Sequence, residues 1–335
     1  MTGPRTVPPL SHPLVTWDRA DPEAAIAAAA ARVSSWGRWG PDDVRGTMNF
    51  LGTQQRRAAA ALVTRGVSFS LSQSFEMDGP QKGWRRRTNP VHTMLDTGTD
   101  AVAGVQGFPH GFGGADDVVS MPLQCSTQWD GLGHIFDHGR AWNGRRADQV
   151  VTSLGDAVTG IETIADVVAG RGVLLDVGRV VGGGELPDGF AITPEHLEVT
   201  IEAQGPSSRV RPGDLVMVRT GRLARARRDG WLDYAGGDSP GLSFATADWL
   251  HDTQIAALAT DTWGFEVRPN EFDVAFQPLH QVVIPHIGLF IGEMWDLDEL
   301  ARDCLDDGVH ECWLTAAPLR VTGAVGAPVN PVAVK

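Results

Sequence analysis

The sequence predicts one α/β domain over residues 61–335, preceded by a helical N-terminal arm over residues 1–60. Helical and strand patterns interleave from residue 60 to the end, and no linker rich in Ser, Gly or charge separates them. The 335 residues are 42% hydrophobic and 21% charged, enough apolar material for a sizeable core and too little charge for disorder. The 40 glycines and 21 prolines favour a loop-rich enzyme over a helical bundle.

Residues 1–20 read as an extended arm punctuated by proline. Asp21 then caps, and Pro22 opens, a helix whose Ala-rich body has high propensity but little to bury. That predicts a place on the surface or against a partner subunit. A second helix runs from about Thr53 to Arg65 and stops at Gly66. Val67, Phe69 and Leu71 alternate with serines, the pattern of a half-buried strand. Further strands are predicted at 91–95, 118–124, 173–177, 215–219, 255–260, 289–292 and 313–321. Helices are predicted at 194–204, 247–252 and 296–305, and Arg222 to Arg228 reads as a polar helix face.

The chain carries 28 basic and 41 acidic residues, a net charge of −13, which argues against nucleic acid or an anionic membrane as its main partner. No apolar run approaches the ~20 residues of a membrane span. The N-terminus lacks the apolar stretch of a secretion signal, so the expectation is a soluble, cytoplasmic protein. Cys125, Cys304 and Cys312 form neither a disulfide framework nor a C-x-x-C zinc site. Any metal must therefore sit on oxygen and nitrogen ligands.

The densest set of such ligands lies between Gln124 and His138. In a straight strand Gln124, Gln128 and Asp130 point the same way, but the first and last are ~20 Å apart, too far to share an ion. In a helix Asp130 lies roughly 240° round from Gln124. Only a bent segment lets all three converge, and Gly131 and Gly133 permit a turn just beyond. A second candidate segment runs from Pro278 to Glu293. A short helix followed by a strand there could bring His280 and Glu293 together at one end of a sheet.

Together these residues resemble the cyclase superfamily, which includes kynurenine formamidase-like, isatin hydrolase-like and trans-dienelactone hydrolase-like metal-dependent hydrolases. The signature H-x-G-T-H-x-D-x-P-x-H keeps its spacing, with Thr127, Asp130 and His134 retained. Gln124 and Gln128 replace its two metal-binding histidines, and Leu132 its proline. The glutamine form is similar to the trans-dienelactone hydrolase-like branch. Residues 36–51, 240–250, 280–293 and 317–334 extend the likeness over most of the chain.

The resemblance implies a swivelling β/β/α-type fold, a homo-oligomer (dimer or tetramer) and a small-molecule substrate. It implies a hydrolase that opens a small lactone or related cyclic ester or amide with metal-activated water. Gln124, Gln128 and Asp130 are the implied metal ligands. Oxygen ligands favour Mn²⁺, with Zn²⁺ second. Asp130 would also orient the water, and His134 would act as general acid or base. His280 and Glu293 are expected as an acid/base pair beside a single ion.

Other readings compete. The same acyl chemistry could close a ring, or the glutamines could mark a binding protein that has lost its metal. Cys125 could be a nucleophile, although a buried small residue is the preferred reading. Lys82 to Arg87 could receive a substrate carboxylate, although a solvated loop is preferred. Trp129 and Trp39 could wall an aromatic pocket, while His138 and His286 read as structural.

Overall fold

The computed structural model describes residues 17–335, so most of the proline-punctuated arm lies outside the described residues. The main sheet and its longest hairpin use β1 (Ser68–Ser70), β2 (Val91–Asp96), β3 (Asp116–Ser120), β4 (Gln128–Asp130), β5 (Ala169–Leu175) and β6 (Leu215–Val218). They continue with β7 (Ala257–Thr260), β8 (Phe290–Glu293), β9 (Glu311–Thr315), β10 (Gly326–Pro328) and β11 (Val332–Val334). All but β2 and β3 join one nine-stranded sheet, in the order β1-β11-β9-β5-β6-β7-β8-β4-β10. Strands β5 to β8 run parallel; the flanking strands pair antiparallel. This is the mixed α/β architecture expected from the sequence.

The parallel strands are buried on both faces, which is why they read as continuous apolar runs. Leu174, Leu215, Met217 and Phe290 point into one apolar cluster, whereas Val173, Leu175, Val216 and Ile291 point into the other. Helices α1 (Pro22–Val33), α3 (Pro194–Gln204), α5 (Thr246–Asp252) and α6 (Pro278–Val282) cover the second face. Helix α7 (Asp298–Asp307) covers the first through Leu300, Ala301 and Cys304. Helix α2 spans Thr53–Ala60 and α4 spans Arg222–Asp229. Among the described residues no helix is long and apolar enough to cross a membrane.

The Asp21 cap is as predicted, its carboxylate accepting the Ala24 N–H at 3.0 Å. The Ala-rich helix, however, finds its partner within the chain. Ile26, Ala29 and Val33 bury a stripe of α1 in the cluster shared with α5 and α6, and the other face stays exposed. Small alanines allow that close approach, a packing role that propensity does not reveal. Helix α2 also ends at Ala60, five residues before the predicted stop.

Candidate active site

The site begins with register. Strand β4 lies between β8 and β10, with Gln128 opposite Glu293 and Asp130 opposite Ile291 and Gly326. Side chains alternate along a strand, so Gln128 and Asp130 share a face with Glu293. Trp129 faces the other way, against Trp295 at 4.9 Å, and donates its Nε1–H to the Ala316 carbonyl at 2.7 Å.

The turns at both ends are built for this placement. Met294, directly after Glu293, takes a left-handed φ of 58°, a strain of about 1–3 kcal/mol that its surroundings must hold. Its N–H donates to Thr262 O at 2.9 Å. Its carbonyl accepts the Thr127 hydroxyl at 2.6 Å, and Thr127 Oγ1 in turn accepts the Gln73 N–H at 3.0 Å. Thr127 thus clamps the turn that carries Glu293. Beyond Asp130, the His134 N–H closes a turn on Gly131 O at 3.0 Å. Gly133 serves this turn by its lack of a side chain, since a Cβ there would overlap the Asp156 carboxylate.

His280 enters from α6. Its Nδ1 meets Glu266 Oε1 at 2.5 Å, and the same carboxylate accepts the backbone N–H groups of His280 at 2.9 Å and Leu279 at 3.1 Å. With Nδ1 so held, Nε2 points at Glu293 Oε1, 3.3 Å away. Donor atoms of Asp130, His280 and Glu293, all buried, lie within 4.8 Å of one another. Gln128 Nε2 donates to Asp130 Oδ1 at 3.2 Å and to Glu293 Oε2 at 2.9 Å, while its buried Oε1 has no partner. His134 Nε2 stands 3.8 Å from Asp130 Oδ1.

Burial pushes the Asp130 carboxyl above its usual range; nearby His134 opposes the rise and Glu293 adds to it. Burial holds the His134 imidazole below its ordinary value, against the pull of Asp130. At His280 burial again disfavours charge, but hydrogen bonds to Glu266 and Glu293 outweigh it and push the value up to about 10.

Two carboxylates and an imidazole at this spacing suit a divalent cation. Glu266 adds the carboxylate–histidine contact that orients a ligating ring. Asp130, His134, His280 and Glu293 line a narrow cleft together with Trp84, Arg85, Arg87, Trp263 and Gln277.

Of the predicted residues, Asp130, His134, His280 and Glu293 meet in this cleft, and Gln128 is hydrogen-bonded to two of them. Gln124 is not among the lining residues. It lies on a turn before β4, its amide packed so near Gly326 that a Cβ there would come within 2.8 Å of Nε2. Asp130 is thus grouped with His280 and Glu293, alongside the expected set of Gln124, Gln128 and Asp130. Cys125 is fully buried, with its thiol pushed up to about 11 by burial, which suits packing and not nucleophilic attack. Trp129 and Trp39 do not wall the cleft; Trp84 and Trp263 do. His138 and His286 share Asp137, at 2.8 and 2.9 Å. Glu266 had no signal in the sequence, because no spacing rule ties it to His280 across the intervening loop.

The sequence profile of the family described as "Putative cyclase" matches residues 10–267, ending before His280 and Glu293. A crystal structure of "a novel cyclase" is 38% identical with a TM-score of 0.82, the alignment covering 90% of this chain and all (100%) of that one. Isatin hydrolase A from Labrenzia aggregata, bound to benzyl benzoate, is 18% identical with a TM-score of 0.56, over 82% of this chain and 94% of its own. Isatin hydrolase A from Ralstonia solanacearum is 14% identical with a TM-score of 0.58, over 80% and 92%. At those two identities the likeness is one of fold. No curated protein matches the sequence.

Proposed function

The chain belongs to the cyclase family, and from that premise we propose that it is a metal-dependent hydrolase opening a small lactone or related cyclic ester or amide. The observation that carries the reading is the convergence of Asp130, His280 and Glu293 within 4.8 Å, with Glu266 fixing the His280 ring. These three residues would hold the ion, and two carboxylates beside one imidazole favour Mn²⁺ over Zn²⁺. When bound, the ion supplies Lewis acidity toward a carbonyl oxygen.

The remaining work falls to the chain. His134, kept neutral by burial, takes a proton at Nε2 from the attacking water. The water oxygen bonds to the acyl carbon, the ring C–O or C–N bond breaks, and His134 returns the proton to the departing atom. The product is an acyclic carboxylic acid. Asp130, 3.8 Å from Nε2, stabilises the ring electrostatically while it is protonated.

Metal content and turnover test this together. Protein loaded with Mn²⁺ or Zn²⁺ should retain about one equivalent and hydrolyse a member of a panel of lactones, cyclic imides and N-formyl aromatics, with loss on chelation. Absence of both metal and turnover would leave the binding-protein reading.

We also propose a homo-oligomer. The β2–β3 hairpin is exposed along both strands and carries exposed Leu95, Val102, Phe108, Phe112 and Val119. A two-stranded ribbon is marginal alone, so a cover must be present from synthesis onward. A second copy of the chain meets that condition.

A further inference from the structure

Arg87 is only 9% exposed, lines the cleft, and carries its guanidinium 5.4 Å over the Trp263 ring. Among the described residues no carboxylate or carbonyl accepts from its side chain. Arg171, similarly buried, meets Asp214 and Glu311 at 2.5 Å each. The guanidinium donors of Arg87 are therefore available to a ligand entering the cleft.

The backbone holds Arg87 in this position. Arg85 and Arg86 are consecutive non-glycine residues in the left-handed region, with φ of 51° and 63°. The turn is closed by Arg87 N–H to Trp84 O at 3.0 Å and Gly83 N–H to Arg87 O at 3.1 Å. Such strain persists where the surroundings over-determine it, often at ligand clamps. The walls are flat and aromatic: Trp84 stacks on Phe276 at 5.5 Å and meets Trp263 edge-on at 4.9 Å. Arg85, also on the cleft, lies 5.8 Å over Phe276.

We propose that Arg87 is a specificity residue that receives a carboxylate already carried by a planar, ring-containing substrate. The ring packs against the contacting Trp84–Trp263 pair, and its acyl carbon faces Asp130 and His134. A guanidinium fork matches a carboxylate in two parallel hydrogen bonds. A net charge of −13 repels anions at long range, so an acidic substrate needs a dedicated cation within the cleft. This inference rests on the cleft assigned above but not on turnover.

Benzoate and its neutral isostere benzamide serve as inert probes, titrated calorimetrically into the metal-loaded protein and again after chelation. The wild type should prefer benzoate under both conditions. Arg87→Gln should weaken benzoate about 10- to 100-fold and leave benzamide unchanged, and Arg87→Lys should restore part of the preference. With a hydrolysed substrate pair differing only in a carboxylate, Arg87→Gln should raise KM for the acid by a similar factor, with kcat nearly constant. Three outcomes would overturn the proposal: equal weakening of both probes, a benzoate preference that survives Arg87→Gln but vanishes on chelation, or a fall in kcat for the neutral substrate. The last would assign Arg87 to the carboxylate that ring opening creates. Because probe binding needs no turnover, loss of the hydrolase reading and loss of this one give different results.

Discussion

Glu266 decides which nitrogen of His280 faces the cleft. Glu266→Gln removes the charge behind the ring and should lower metal affinity about 10- to 100-fold, read by competition with a fluorescent chelator. In the metal-free protein His280 has a folded value raised from 6.5 to about 10. Its contribution to stability is therefore complete below the unfolded value and lost as pH rises through about 10. Metal binding has the opposite sign, because the imidazolium must shed its proton to ligate. Affinity should rise with pH across that window, with proton release measured by calorimetry in buffers of different ionisation enthalpy. At Asp130, burial already works against the charged form. Asp130→Asn should therefore cost activity at least about 100-fold while leaving the metal-free melting temperature unchanged or higher.

At the scale of elements, the site depends on short pieces held by specific contacts. Thr127→Val would strand the Met294 carbonyl and the Gln73 N–H, at about 1–3 kcal/mol each. Melting temperature and metal affinity should fall together, and Thr127→Ser should recover both. Elements with end signals were legible in the sequence: Thr193 and Pro194 start α3 and Gly205 ends it, and the helix runs Pro194–Gln204 as predicted. Strand β4 was not legible, because three residues buried on every side show no alternation. Nor were β10 and β11. Pro328 in β10 argues against a strand until its place at the sheet edge is known. The same limit explains the site. Asp130, His134, His280 and Glu293 could be named from type and spacing, but their grouping needed the register of β4 against β8. Arg87 was visible as part of a basic run; its burial was not.

For the whole molecule, the site lies at the carboxyl ends of the parallel strands, where the sheet passes from parallel β7–β8 to antiparallel β8–β4. Open α/β sheets keep ligand sites at such a change of direction. In sequence the β2–β3 hairpin lies between Arg87 and the Gln128–Asp130 strand, so the proposed assembly surface and the site share one stretch of chain. Leu95→Asp together with Phe112→Asp should shift the proposed homo-oligomer toward monomer in light scattering coupled to size exclusion. A sheet that folds without its partner would keep its far-ultraviolet circular dichroism.

The position of β4 also bears on how the protein comes to be loaded. Its two neighbours, β8 and β10, come from late in the chain, and β4 must pair with β8 before Asp130 and Glu293 are held side by side. Contacts of such long sequence separation form slowly. A nascent or partly folded chain consequently has the proposed ligand residues but not their geometry, and on the proposed reading metal binding follows folding. Added Mn²⁺ should raise the melting temperature by mass action yet leave the refolding rate untouched, a separation that stopped-flow fluorescence can measure.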